Sequence, residues 1–185
     1  MAAPLMRASH LKSNVTALSK LGADDATRVR ARCPTVFEAI EASVRTDWLP
    51  LELAMEFVDA VVDECGIERY LEWSKRGLRE SADGPLLGPV LSTLRRMSVS
   101  PHRALAVVPS GWQLIYRHCG GLTHRRVSPR EGHVVLRDAP RMLASRDYLL
   151  GVAASFEEAL SLASGVTSHS QVDVDGRLAV FRIGW

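Results

Sequence analysis

The sequence predicts an α+β fold in which an N-terminal helical bundle region packs on a C-terminal four-stranded antiparallel sheet. Three observations in the last third of the chain carry this. Leu122–Val127 and His133–Asp138 are short β-prone runs joined by Ser128-Pro129-Arg130-Glu131-Gly132. Tyr148–Ala163 has helical apolar spacing. Gln171–Val174 and Arg177–Ile183 are joined by Asp175-Gly176, a dipeptide suited to a type I′ hairpin. The order is β-β-α-β-β, and nearly everything before it reads as helix. One domain over residues 1–185 follows, with its helical part at 11–119 and its β-β-α-β-β part at 120–185.

The first ten residues read as frayed. Ser13–Leu21 is a short helix with Ser13 as its cap and Gly22 as its stop. A second begins near Asp24-Asp25, whose carboxylates suit a helix N-terminus. A third follows Pro34, with Val36, Phe37, Ile40 and Val44 on one stripe. The strongest helix starts at Pro50. There Leu51, Ala54, Phe57, Val58, Val61, Val62 and Cys65 form one face, Glu52, Glu56, Asp59 and Asp63 the other, and Gly66 closes it. Glu68–Arg79 is helical, presenting Tyr70, Leu71 and Trp73. Pro85–Met97 is a helix interrupted at Gly88-Pro89. Ser100-Pro101 opens another, which Pro109-Ser110-Gly111 kinks or breaks before Trp112–His118 resumes it. Leu149, Val152, Ala153, Phe156, Leu160 and Ala163 give the last helix a face wide enough to cover a four-stranded sheet. Five to seven helices are expected, and one shared core centred on Phe57, Val58, Val61 and Phe156.

With 46% hydrophobic and 24% charged residues the composition is that of a globular protein. No apolar run reaches the roughly 18 residues of a membrane span. The opening residues lack the apolar stretch of a secretory signal, so the expected location is cytoplasmic. Cys33, Cys65 and Cys119 form no CxxC pair and read as reduced, small apolar side chains. Net charge is only +2, yet residues 95–146 hold ten arginines against two acids. Arg125, Arg126 and Arg130 concentrate on the first hairpin and are the candidates for a partner-binding surface, against the plainer reading of a solvated face.

Catalytic and metal chemistry is sought without success. His118-Cys119 diverge, and His124 with His133, on the two arms of the first hairpin, make at most an incomplete metal site. There is no Gly-x-Ser-x-Gly elbow, P-loop or Gly-x-Gly-x-x-Gly turn. Glu157-Glu158 and Asp24-Asp25 read as solvated helix faces, and Asp173 and Asp175 as turn chemistry. Nucleic acid is disfavoured, since the basic segment has no helix-turn-helix or RNA-binding signature and few aromatics interleave its arginines. No cofactor and no metal are expected.

Thr46-Asp47-Trp48-Leu49-Pro50-Leu51-Glu52-Leu53 is a distinctive run. With Leu11-Lys12-Ser13-Asn14-Val15, Ser100-Pro101, Tyr148-Leu149-Leu150-Gly151 and Phe181-Arg182-Ile183-Gly184-Trp185, it resembles a family of uncharacterised paralogous proteins abundant in myxobacteria. The order of elements also looks like the ligand-sensing fold shared by haem nitric-oxide-binding domains, vinyl-reductase-like sensors and vesicle-tethering subunits. The Tyr-x-Ser-x-Arg haem motif is absent, as are zinc-binding cysteines in the last hairpin, so the resemblance implies the fold without haem or zinc.

Two functional expectations follow, neither enzymatic. The first is a regulatory protein that acts through protein contacts, with itself as a homodimer or with another chain. The alternative is a sensor domain holding a small apolar ligand between helices and sheet. Trp48, Phe57, Trp73, Trp112 and Phe156 are the candidates to line such a pocket, although large aromatics more often fill an ordinary core.

Overall fold

The computed structural model describes residues 2–185. In chain order the elements are β1 (Leu5–Arg7), α1 (Ala8–Leu21), α2 (Ala23–Arg32), α3 (Pro34–Ala42), β2 (Trp48–Pro50), α4 (Leu51–Cys65), α5 (Ile67–Ala82), α6 (Gly88–Arg96) and α7 (Pro101–Ile115). Then come β3 (Tyr116–Arg117), β4 (Gly121–Ser128), β5 (Glu131–Arg137), a 3-10 turn at Arg141–Ala144, α8 (Arg146–Ser164), β6 (His169–Asp175) and β7 (Leu178–Gly184). The fold is α+β, as the sequence predicts.

The large sheet is antiparallel with strand order β4-β5-β7-β6. Its alternation is sharp because one face meets helices and the other does not. Gly132, Val134 and Leu136 of β5 and Ala179, Phe181 and Ile183 of β7 are buried inward. Helices α7 and α8 lie on that face, α7 over β4 and α8 over β6. Phe156 of α8 meets Phe181 edge-on, with ring centroids 5.0 Å apart.

Helix α5 is the spine of the helical layer. Tyr70, Trp73, Gly77, Leu78 and Ser81 are buried, and α1 and α8 pack on either side of the helix. The Trp73 indole N–H donates to the Asn14 carbonyl at 2.8 Å. Arg79 makes a two-pronged contact with the buried Glu158, at 2.6 and 2.9 Å, which clamps α5 to α8. Tyr70 reaches so near α8 that a Cβ on Gly151 would lie 2.0 Å from its hydroxyl, so only glycine permits this crossing. Helix α2 is tied down by Asp25, which is buried between Arg28 and Arg69; these cations hold its carboxyl below the usual carboxylate range. Phe57, Val58, Val61 and Phe156 belong to one continuous core.

Several local expectations are corrected. The stretch expected to be frayed is ordered from Leu5 onward: Leu5–Arg7 is the middle strand of a second sheet of order β2-β1-β3, and α1 starts at Ala8. Ser13 therefore lies inside a helix, where its buried hydroxyl donates to the Ser9 carbonyl instead of capping. Val44 falls beyond the end of α3 and is 61% exposed. Gly88-Pro89 starts α6 instead of interrupting it, because proline in the first turn gives up an N–H that has no helical partner. Pro109 sits within an unbroken α7, held by buried Leu105, Trp112 and Ile115 on either side of it. That helix stops at Ile115, since Tyr116–Arg117 pair with β1. The last hairpin turns on Gly176-Arg177, one residue later than expected, with Asp175 opposite Leu178. Of these turn residues only Gly176 has positive φ (58°), as in a type II′ turn and unlike type I′. Among the described residues there are eight α-helices, more than the expected five to seven.

Candidate functional site

A cavity of about 110 Å³, partly open to solvent, lies between α5, α6, α7 and α8. Helical spacing builds its walls. Ala104, Val107, Val108, Gly111 and Ile115 recur along one face of α7, and Val152, Ser155, Phe156, Ala159 and Ala163 along one face of α8. Helix α6 adds Val90, Leu91 and Leu94 but buries no residue fully, since its apolar side faces the hollow. The hollow exists because Ala104, Gly111, Ala159 and Ala163 are short where the helices confront one another. A Cβ placed on Gly111 would have no atom within 4 Å.

Few polar groups enter this wall. His10 of α1 is set by a 3.0 Å hydrogen bond between its Nδ1 and the Ser81 hydroxyl. Burial pushes its pKa down to about 4, so at neutral pH the imidazole is uncharged. Ser155 donates to the Gly151 carbonyl at 2.9 Å. Trp112 stacks on Tyr116 with centroids 3.8 Å apart, and its buried indole N–H has no acceptor. Behind Tyr116 lies a smaller hollow of about 50 Å³, which shares His10, Tyr116, Val152 and Ser155 with the first. Here the Tyr116 and Tyr148 hydroxyls meet at 2.8 Å, and burial raises both phenol pKa values.

The aromatic candidates divide. Trp112 and Phe156 line the large cavity, whereas Phe57 and Trp73 wall the smaller one and pack edge-on at 5.0 Å. Trp48 is in neither. It lies half-buried on the small sheet, flanked by Arg7 and Arg117. Arg125, Arg126 and Arg130 are all exposed but do not share one face. Arg125 sits opposite His133 and Arg126 opposite the inward Gly132, while Arg130 is in the turn. His124 and His133 also point to opposite faces: His124 lies beside His102 of α7, and His133 contacts Glu131 at 2.9 Å. Among the described residues no group of three or more His, Cys, Asp or Glu could hold a metal. All three cysteines are free, and burial pushes the Cys33 and Cys119 thiols up to about 11, which suits inert packing. His10 escaped the sequence reading because it lies in the stretch taken as frayed; only its contact with Ser81, 71 residues away, gives it meaning.

No protein-family model and no curated protein matches the sequence. Solved structures do. A mutant Fe(II) unliganded H-NOX protein from K. algicida superposes with a TM-score of 0.66 at 10% identity, covering 97% of this chain and 96% of that one. An oxygen-binding H-NOX domain related to soluble guanylate cyclases gives 0.62 at 14% identity, covering 97% and 94%. A third, from work on haem distortion in the H-NOX family, gives 0.66 at 12% identity, covering 97% and 95%. At these identities the likeness concerns architecture, and the chain has the H-NOX-like fold over nearly its whole length.

Proposed function

We propose that this protein is a non-enzymatic sensor domain that holds a small, largely apolar ligand in the cavity between α5, α6, α7 and α8. The observation that carries the reading is the wall itself. It is aliphatic on three helices and has one neutral imidazole, His10, as its chief polar contact. The H-NOX-like fold supports it, since its solved members include an oxygen-binding domain.

Haem itself does not fit the residues present. Its iron needs an axial donor, and its two carboxylates need cations or donors when they leave water. His10 offers a neutral imidazole, but among the described residues no lysine or arginine lines the cavity. The ligand is therefore an uncharged apolar molecule.

Binding of the neutral fluorophore N-phenyl-1-naphthylamine tests the reading. Wild type should bind it saturably, and Gly111→Leu, which projects a side chain into open space, should weaken binding at least tenfold with the fold intact. Equal binding by both proteins would overturn it. Native mass spectrometry of protein purified without denaturant should in turn show a retained neutral ligand.

A second element of the reading is output to a protein partner, another chain or a second copy of this one, in the cytoplasm. Its support is that Arg125, Arg126 and Arg130 are exposed and form no ion pair among the described residues. No helix among the described residues is long and apolar enough to cross a membrane. Kinship with the myxobacterial paralogues belongs to the same proposal and rests on Thr46–Leu53 and the other shared positions. Reversing all three arginines to Glu should abolish partner capture or self-association; unchanged binding would leave the hairpin a solvated surface.

A further inference from the structure

The distinctive run around Trp48 is explained neither by the core nor by the cavity. Arg7 of β1 and Arg117 of β3 both lay their guanidinium groups against the Trp48 indole, with Cζ atoms 3.9 and 4.1 Å from its ring centroid. Register places all three on one face of the small sheet. Arg7 is opposite Trp48, and Arg117 is opposite Leu5, two residues earlier on β1. Two cations are thus held on one aromatic platform, at most about 8 Å apart.

No acidic group among the described residues answers their charge. Among the described residues neither Arg7 nor Arg117 has a carboxylate within ion-pair distance, and Arg45 in the adjoining loop has none either. The acid nearest in sequence, Asp47, is engaged elsewhere, since its carboxylate accepts the Val44 N–H at 2.7 Å. Arg7 spends one Nη1 donor on the Thr46 carbonyl at 2.7 Å, which fixes the group, yet its Nε is buried without an acceptor. A buried donor without a partner is uncommon in a finished structure and marks a place where an acceptor is missing. Burial and, after it, the Arg117 guanidinium lower the Arg7 pKa, the direction expected where no anion is near.

We propose that Arg7 and Arg117, braced by Trp48, form a binding site for a phosphate group. A tetrahedral dianion matches two fixed cations in charge and offers oxygens to several N–H donors at once, which a monocarboxylate does less well. Trp48 serves as the platform that holds the two like charges together while the site is open to solvent. The proposal does not depend on what occupies the helical cavity.

Side-chain ¹⁵N–¹H spectra of the full chain would test it, with the Arg7 Nε–H signal assigned by Arg7→Lys. Inorganic phosphate is titrated at constant ionic strength with chloride as the counter-anion. The expected result is a saturable shift of the Arg7 Nε–H and Trp48 indole signals, weakened at least tenfold by Arg117→Gln and unaffected by Arg125→Gln. Arg117 is exposed, so its variant should keep the wild-type melting temperature and decides the matter even if an Arg7 variant folds poorly. A second titration uses glycerol phosphate. An equal midpoint would mean that the phosphate group alone is read, and a tighter one that the ligand is a phosphate ester; both support the site. A shift that never saturates, that chloride reproduces, or that survives in Arg117→Gln would overturn it.

Discussion

Helix α5 divides two neighbourhoods of very different density. On the α1–α4 side, Phe37, Phe57, Trp73 and Tyr70 form a chain of rings with centroid spacings of 5.2, 5.0 and 5.7 Å. On the α6–α8 side, alanine, glycine, valine and leucine line a hollow. Both sides are apolar and both show helical periodicity. What differs is side-chain volume at the contact, so the rings of the first side leave only the smaller hollow and the short side chains of the second leave the larger one. A cavity need not be carved by polar residues; short side chains on facing helices suffice, provided that a rigid neighbour keeps the helices from collapsing together.

Breaking the dense side should have the largest effect. Phe57→Ala removes a fully buried ring from the middle of the aromatic chain and should cost about 3–5 kcal/mol, read from urea midpoints at constant m-value. A loss below about 1 kcal/mol would mean that this neighbourhood is no better packed than the other. Next is the clamp between the two sides. Arg79→Met strands Glu158, whose side chain is only 7% exposed, and should cost about 2–3 kcal/mol, less than a fully buried pair because Arg79 is half in water. Mutating Lys20, which pairs with Glu80 at the surface, is the control and should cost under about 1 kcal/mol.

His10 sharpens the comparison through pH. The unfolded chain takes up a proton on this residue near pH 6.5, while the folded one resists until about 4. Stability should therefore fall as pH drops from about 6.5 to about 4, by about 3 kcal/mol from this group. His10→Gln, which can still bond Ser81, should flatten that part of the profile. An unchanged slope would show that another group sets it. The smallest effect belongs to the hollow side. Gly111→Ala adds a methyl group where nothing stands within 4 Å and improves a helix interior, so it should raise stability by about 0.5–1 kcal/mol.

The large sheet was legible because alternation along Gly132–Leu136 and Ala179–Ile183 is enforced by one buried face, and because Gly176 advertises a tight turn. The one-residue error there arose because Asp175-Gly176 and Gly176-Arg177 are both acceptable turn pairs by composition. The small sheet was illegible for a different reason. Three residues of β1 and two of β3 are too few to show a period, and the pairing of Met6 with Tyr116 joins parts of the chain 110 residues apart. Of the cavity's lining, only Trp112 and Phe156 stood out in the sequence as candidates. Ala104, Gly111, Ala159 and Ala163 look like ordinary helix positions, and space between helices leaves no residue to mark it. Trp48 was visible as unusual, but its flanking arginines come from distant strands.

The small sheet also constrains how the chain can change over evolutionary time. Met6 and Tyr116 are buried and pair on the inward side, whereas Arg7 and Arg117 project outward to Trp48. Because side chains alternate strictly, inserting or deleting a single residue in β1 would carry a guanidinium into the hollows behind Tyr116 and a methionine into water. The interior wall and the cationic outer face are thereby locked to one reading frame of three residues. Length variation among relatives should be excluded from Leu5–Arg7.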